Sequence, residues 1–152
     1  ASAKAALPIT TASTYLARYP DYIKRNLGAL KGEQEIWASR GKKVDPADIW
    51  QDIFAKYMAL ADPAQGLAQW DRWGSFELGD TRSHTLHWLL SLNEMGAPDL
   101  GISADMPLFS VFKRTDGRRT YLAFNATKAP IDVRFSDGKT LTVAPGTLGR
   151  MN

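Results

Sequence analysis

Asp45-Pro46-Ala47-Asp48-Ile49-Trp50-Gln51-Asp52-Ile53-Phe54-Ala55-Lys56-Tyr57-Met58-Ala59-Leu60-Ala61-Asp62-Pro63 opens and closes on a helix start. An aspartate accepts hydrogen bonds from the free N–H groups of a first helical turn, and proline, which has no N–H to offer, fits that turn. Between the two starts Ile49, Trp50, Ile53, Phe54, Tyr57, Leu60 and Ala61 recur at steps of three and four, the period of one helix face. The second start leads into Leu67 to Trp70. A helix that ends where the next begins describes an array of α-hairpins.

The same grammar continues on both sides. Ala5 to Thr11 reads as turn or extended chain, and Pro20-Asp21 begins a short helix through Tyr22, Ile23, Leu27 and Leu30. Gly41-Lys42-Lys43 breaks it. Downstream, Thr81 to Met95 is another helix, with Leu86, Leu89, Leu90 and Leu92 apolar and Gly96 as its stop. Ala97 to Gly101 reads as a linker.

Beyond Pro107 the period changes. Leu108 to Phe112 and Tyr121 to Phe124 are joined through Asp116-Gly117. The alternating Ile131-Asp132-Val133-Arg134-Phe135 leads through Asp137-Gly138 into Leu141-Thr142-Val143. Two Asp-Gly turns between such runs predict two β-hairpins. The expected class is α+β: helical hairpins over residues 1–105, then a small antiparallel β-sheet over 106–152. Four strands need cover on their apolar face, and the helical part is the expected partner.

The 152 residues suffice for one domain or two small ones with a buried core, and 44% hydrophobic with 23% charged residues suits a folded protein. The formal charge of +3 is mild. The adjacent basic pairs Lys24-Arg25, Lys42-Lys43, Lys113-Arg114 and Arg118-Arg119 are scattered along the chain and form no continuous stripe of the phosphate-neutralising kind, so nucleic-acid binding is not expected. With no cysteine, disulfides and thiolate metal sites are excluded. No apolar run approaches the roughly 20 residues of a membrane span, so no membrane partner is expected. Ala1-Ser2-Ala3 resembles neither the charged nor the apolar part of a signal peptide. A secreted or periplasmic setting fits a cysteine-free chain.

Chemistry-bearing groups gather in Gly79-Asp80-Thr81-Arg82-Ser83-His84-Thr85-Leu86-His87-Trp88. Two histidines, an arginine and a tryptophan at a helix start suit a sugar ring, which wants hydrogen bonds at its edge and a flat apolar surface beneath. Trp70 and Trp73 precede them. Asn125-Ala126-Thr127 fits the N-glycosylation pattern at a strand end, where it also reads as a turn.

With that order in place, the chain resembles the C-terminal part of glycoside hydrolase family 81, the endo-β-1,3-glucanases. The resemblance runs through Pro8 to Leu16, Trp50 to Ile53, Tyr57 to Ala64, Gly79 to Thr85, Tyr121 to Asn125 and Phe135 to Gly146. It implies the end of an (α/α) barrel followed by a β segment, and hydrolysis of internal β-1,3-glucosidic bonds with inversion. It also implies that the catalytic carboxylates belong to an upstream part, because the family's enzymes are several times longer. The expected partners are therefore a β-glucan and that upstream portion, with no cofactor; the chain alone is expected to be inactive. The alternative is a self-contained carbohydrate-binding module with no chemistry.

An inverting glycosidase needs an acid and, roughly 6.5–9.5 Å away, a base carboxylate. Glu77 and Asp80 are the carboxylates beside the aromatic-rich turn and the histidines; against a catalytic role, Asp80 also suits a helix N-cap and Glu77 an ordinary loop. Trp73, Arg82, His84, His87 and Trp88 are the candidates for substrate binding. Tryptophans between helices also serve as core, and Arg82 also suits an ion pair with Glu77 or Asp80. Asp80, His84 and His87 share one helical face, but two histidines at that spacing fit hydrogen bonding to sugar hydroxyls or backbone better than a metal, and none is expected.

Overall fold

The computed structural model describes residues 9–41, 51–71 and 82–152. The chain is α+β: a 3-10 helix and four α-helices among the described residues, then six short antiparallel strands. It divides into two compact units, Ala1–Glu94 and Met95–Asn152.

In the first unit a 3-10 helix spans Thr11–Arg18, beginning where the stretch read as turn or extended chain ends. Ser13 closes its first turn, accepting from the Thr10 N–H through Oγ at 3.2 Å. Helix α1, Pro20–Ser39, begins at the expected proline with Asp21 in its first turn. It runs well past Leu30, because its second half holds few helix breakers and several good formers, among them Glu33, Glu35 and Ala38. Ile23 is fully buried, and Gly41, at φ +65°, follows the helix end.

The expected hairpin is α2, Gln51–Ala59, followed by α3, Pro63–Asp71. Asp45-Pro46 and Trp50, the proposed start of α2, lie outside the described residues. The second start is as expected: Asp62 Oδ1 accepts from the Gln65 N–H at 3.1 Å, with Pro63 as the first helical residue. The two helices meet at Gly66. A Cβ there would lie 2.8 Å from Ala59 Cβ and 2.9 Å from the Ala55 carbonyl oxygen, so only glycine lets the backbones approach this closely. Helix α4, Arg82–Met95, ends at the expected glycine stop.

The second unit departs from the sequence expectation in two ways. First, the residues read as a linker join the sheet: β1, Ala97–Pro98, pairs with β2, Phe109–Lys113. Gly96 makes this possible, because at its φ of +102° a Cβ would sit 2.3 Å from the Lys113 carbonyl group. The two compact units divide between Glu94 and Met95.

Second, the two expected hairpins belong to different sheets. Strand β2 pairs with β3, Arg119–Phe124, and β3 pairs with β6, Leu148–Met151, giving the order β1-β2-β3-β6. Strands β4, Ile131–Arg134, and β5, Thr140–Val143, form a sheet of their own. Val111, Tyr121 and Ala123 of the larger sheet share one buried cluster with Val133, Phe135 and Val143. The Phe135 ring meets Tyr121 edge-on at 4.9 Å and Phe109 at 6.1 Å. The apolar face that needed cover is thus covered by the second sheet.

Candidate functional site

Helix α4 carries the histidine segment, and its two sides differ. Thr85, Trp88, Leu89 and Leu92 are buried, while Arg82, Ser83, His84, His87 and Leu90 are exposed. His84 and His87 stand three residues apart, hence one above the other on the outward side. Trp88 faces the other way: it is buried, and its indole N–H donates to the Lys56 carbonyl oxygen of α2 at 3.3 Å. This is the packing use of a tryptophan, with its polar edge satisfied inside.

Trp73, Glu77 and Asp80 lie outside the described residues. Arg82 is exposed and engaged in an interaction of its own. Among the described residues no group of three His, Cys, Asp or Glu side chains gathers to hold a metal. Of the seven candidates, α4 exposes three and buries Trp88: His84 and His87 stand side by side, while Arg82, two residues before His84, lies on a different side of the helix.

Beneath α4 lies a feature not anticipated from the sequence. Asp52 and Lys56, one turn apart on α2, are both buried, on a helix whose other buried residues are Ala55, Met58 and Ala59. Burial pushes the Lys56 ammonium below its usual pKa, and the Asp52 carboxylate pulls it partly back. The i,i+4 acid–base spacing was legible, but such pairs are ordinary on solvated helix faces. The backbone carbonyl of the same Lys56 accepts the Trp88 N–H, which ties α4 to α2 at this residue.

The remaining polar centre belongs to the β unit. The Tyr121 hydroxyl donates to Asp137 Oδ2 at 2.5 Å, and this bond holds the Asp137 carboxyl below its ordinary value. Arg119 Nε donates to Asp99 Oδ2 at 2.9 Å. Tyr121 is raised, first by burial and then by the carboxylate beside it. These groups join the β3 strand to the loops at its edges and face no described cleft.

No family model matches the chain. In sequence it is similar to the glucan endo-1,3-beta-D-glucosidase of Acetivibrio thermocellus, 40% identical over 142 residues, covering 93% of this chain and 17% of that protein. It is likewise similar to the glucan endo-1,3-beta-D-glucosidase of Thermobifida fusca, 41% identical over 145 residues, covering 93% and 18%. In structure it matches a mutant of the glycoside hydrolase family 81 protein from Clostridium thermocellum, with a TM-score of 0.74 and 39% identity, over 95% of this chain and 19% of that one. The chain thus spans less than a fifth of the length of the relatives it matches. By sequence and by fold it is the C-terminal part of a glycoside hydrolase family 81 protein.

Proposed function

We propose that this chain is the C-terminal portion of an endo-β-1,3-glucanase, which cleaves internal β-1,3-glucosidic bonds with inversion. The observation that carries the reading is the match to two glucan endo-1,3-beta-D-glucosidases at 40% and 41% identity over 93% of the chain. The helical unit contributes the end of an (α/α) barrel. Arg82, His84 and His87, exposed on α4, line the wall of the glucan cleft together with Trp73 and hydrogen-bond or stack on the sugar. Trp88 supports them from within by seating α4 on α2. The carboxylic acid and the carboxylate base come from the upstream portion, whether in the same chain or a second one, and Glu77 and Asp80 serve the cleft wall or cap α4. Because the substrate is a polymer that does not enter cells, the working place is outside the cytoplasm.

Laminarin hydrolysis tests this directly. The isolated chain is expected to release no reducing ends, whereas the whole enzyme containing it does; turnover by the chain alone would place the acid and base here. The rival reading, a carbohydrate-binding module without chemistry, predicts that removing this chain from the whole enzyme weakens glucan binding and leaves cleavage of short soluble oligosaccharides intact. The glucanase reading predicts that cleavage of both is lost.

A further inference from the structure

The first unit holds a depression that the glucanase reading does not use. Between the 3-10 helix, α1 and α2 lies a cavity of about 180 Å³, lined by Tyr15, Leu16, Tyr22, Asn26, Phe54 and Tyr57 among others. A wider, shallower depression of about 580 Å³ adjoins it, sharing Tyr15, Leu16 and Tyr22 in its lining. Tyr15 and Tyr22 stand at the junction with 63% and 48% of their surface exposed, far more than a core aromatic shows.

The chemistry of the lining selects the ligand. Among the described residues no carboxylate, ammonium or guanidinium lines the cavity, so a charged ligand would find nothing in that lining to neutralise it. The walls combine aromatic rings (Tyr15, Tyr22, Phe54, Tyr57) with the aliphatic side chains of Ile9, Leu16, Leu30 and Ile53, and the polar groups are phenol hydroxyls and one carboxamide. Asn26 and Tyr57 place a carboxamide and a phenol hydroxyl in this lining. Burial holds the Tyr57 phenol above its usual pKa, so it stays neutral at working pH. A pyranose ring presents the matching surface: apolar C–H faces for the rings, hydroxyls at its edge for Asn26 and Tyr57, no charge, and a size on the scale of this cavity. The charged groups Arg18, Asp21 and Arg25 line only the outer depression, where further sugar hydroxyls would meet solvent-exposed donors and an acceptor.

We propose that this tyrosine-lined cavity is a neutral-sugar binding site, which takes one hexose ring of a polysaccharide and lets the chain continue across Tyr15 and Tyr22. It is separate from the outer side of α4. It rests on the glucanase reading only for the identity of the polymer, a β-1,3-linked glucan.

The test is titration of the whole 152-residue chain with laminarihexaose and, separately, cellohexaose, followed by the ring NMR signals of the tyrosines and by calorimetry. Tyr15→Ala and Tyr22→Ala remove largely exposed rings, so circular dichroism should match the parent; Tyr15→Phe serves as a second, shape-conserving variant. The expected result is a shift of the Tyr15, Tyr22 and Tyr57 signals by laminarihexaose, with affinity falling at least tenfold in either alanine variant and little in Tyr15→Phe. If cellohexaose alone binds here, the site stands and the β-1,3-glucan identity falls. If laminarihexaose binds with unchanged affinity in both alanine variants, or no neutral oligosaccharide moves these signals at millimolar concentration, the site is overturned while the glucanase reading is untouched.

Discussion

Asn125 is the residue on which the β unit closes. It has no exposed surface, and all of its side-chain hydrogen-bonding capacity is spent inside the protein. Its Nδ2 donates to the carbonyls of Ala129 and Val143 at 2.8 and 2.9 Å, and its Oδ1 accepts from the Thr127 N–H and hydroxyl, each at 2.8 Å. The glycosylation pattern at Asn125-Ala126-Thr127 is therefore a folded turn whose amide nitrogen is occupied. Expressed in a glycosylating host, the folded chain should keep its unmodified mass at this position. Asn125→Ala would withdraw the donor from both carbonyls; the exposed Ala129 keeps the Thr127 hydroxyl at 2.9 Å, while Val143 is buried, so the cost by urea denaturation should be about 1–3 kcal/mol, that of one unsatisfied buried polar group. Asn125→Asp would put carboxylate oxygen against those same carbonyls, so it should be worse at neutral pH than at pH 4, where the group can carry a proton and donate again.

A second residue-scale pair gives a pH signature. The Asp137 carboxyl is held below its ordinary value, first by the Tyr121 hydroxyl. A group whose folded pKa lies below its unfolded one stabilises the fold above the unfolded value and loses that contribution as pH falls through the folded value. Stability of the parent should thus fall as the medium is taken below about pH 4, where unfolded aspartates protonate. Tyr121→Phe removes the hydroxyl and should flatten that part of the curve while lowering the plateau. An equal slope in parent and variant would show that other carboxylates govern the acid limb.

Among the elements, α2, α3 and α4 form the part of the fold on which the candidate site stands, and Gly66 sets the approach of the first two. Alanine at position 66 would gain about 1 kcal/mol of helix propensity yet bring its Cβ to 2.8 Å from Ala59 Cβ. Overpacking of this kind typically costs about 1–3 kcal/mol, so the net effect should be destabilising. Ala59→Gly in the same chain removes the nearer clash and leaves the 2.9 Å approach to the Ala55 carbonyl, so thermal melts should show partial recovery in the double variant. Much of this element level was legible in the residues. Asp62-Pro63, Gly96 and the two Asp-Gly turns each satisfy a local backbone demand, and local demands are written locally. Strand β6 was not legible, because Leu148-Gly149-Arg150-Met151 has no clean alternation and owes its place to Phe124, Ala123, Leu122 and Tyr121 across the ladder. The assignment of β4 and β5 to a separate sheet was hidden for the same reason: the Tyr121–Phe135 contact that joins the layers has no trace in spacing. In the site, the histidine pair was legible as a motif. Which side of α4 faces inward depended on Lys56, on another helix.

For the molecule as a whole, the division of labour on α4 decides what a mutation can report. His84 and His87 are exposed, so replacing them should leave stability within about 0.5 kcal/mol of the parent, as for surface sites away from special features. If they line the glucan cleft, the same replacements in the whole enzyme should lower kcat/KM on laminarin, each by about tenfold for a lost hydrogen bond of about 1.4 kcal/mol. Trp88 predicts the opposite order of events. Trp88→Phe deletes the N–H bonded to the Lys56 carbonyl and part of a buried ring, so it should lower the melting temperature first. Activity should then fall only as the seating of α4 loosens, and recover when the assay is cooled. Measuring melting temperature and kcat/KM on one set of three variants separates the two roles. A stable, inactive Trp88→Phe enzyme would mean that the indole meets the sugar in the assembled cleft, contrary to the inward seat it has in this chain.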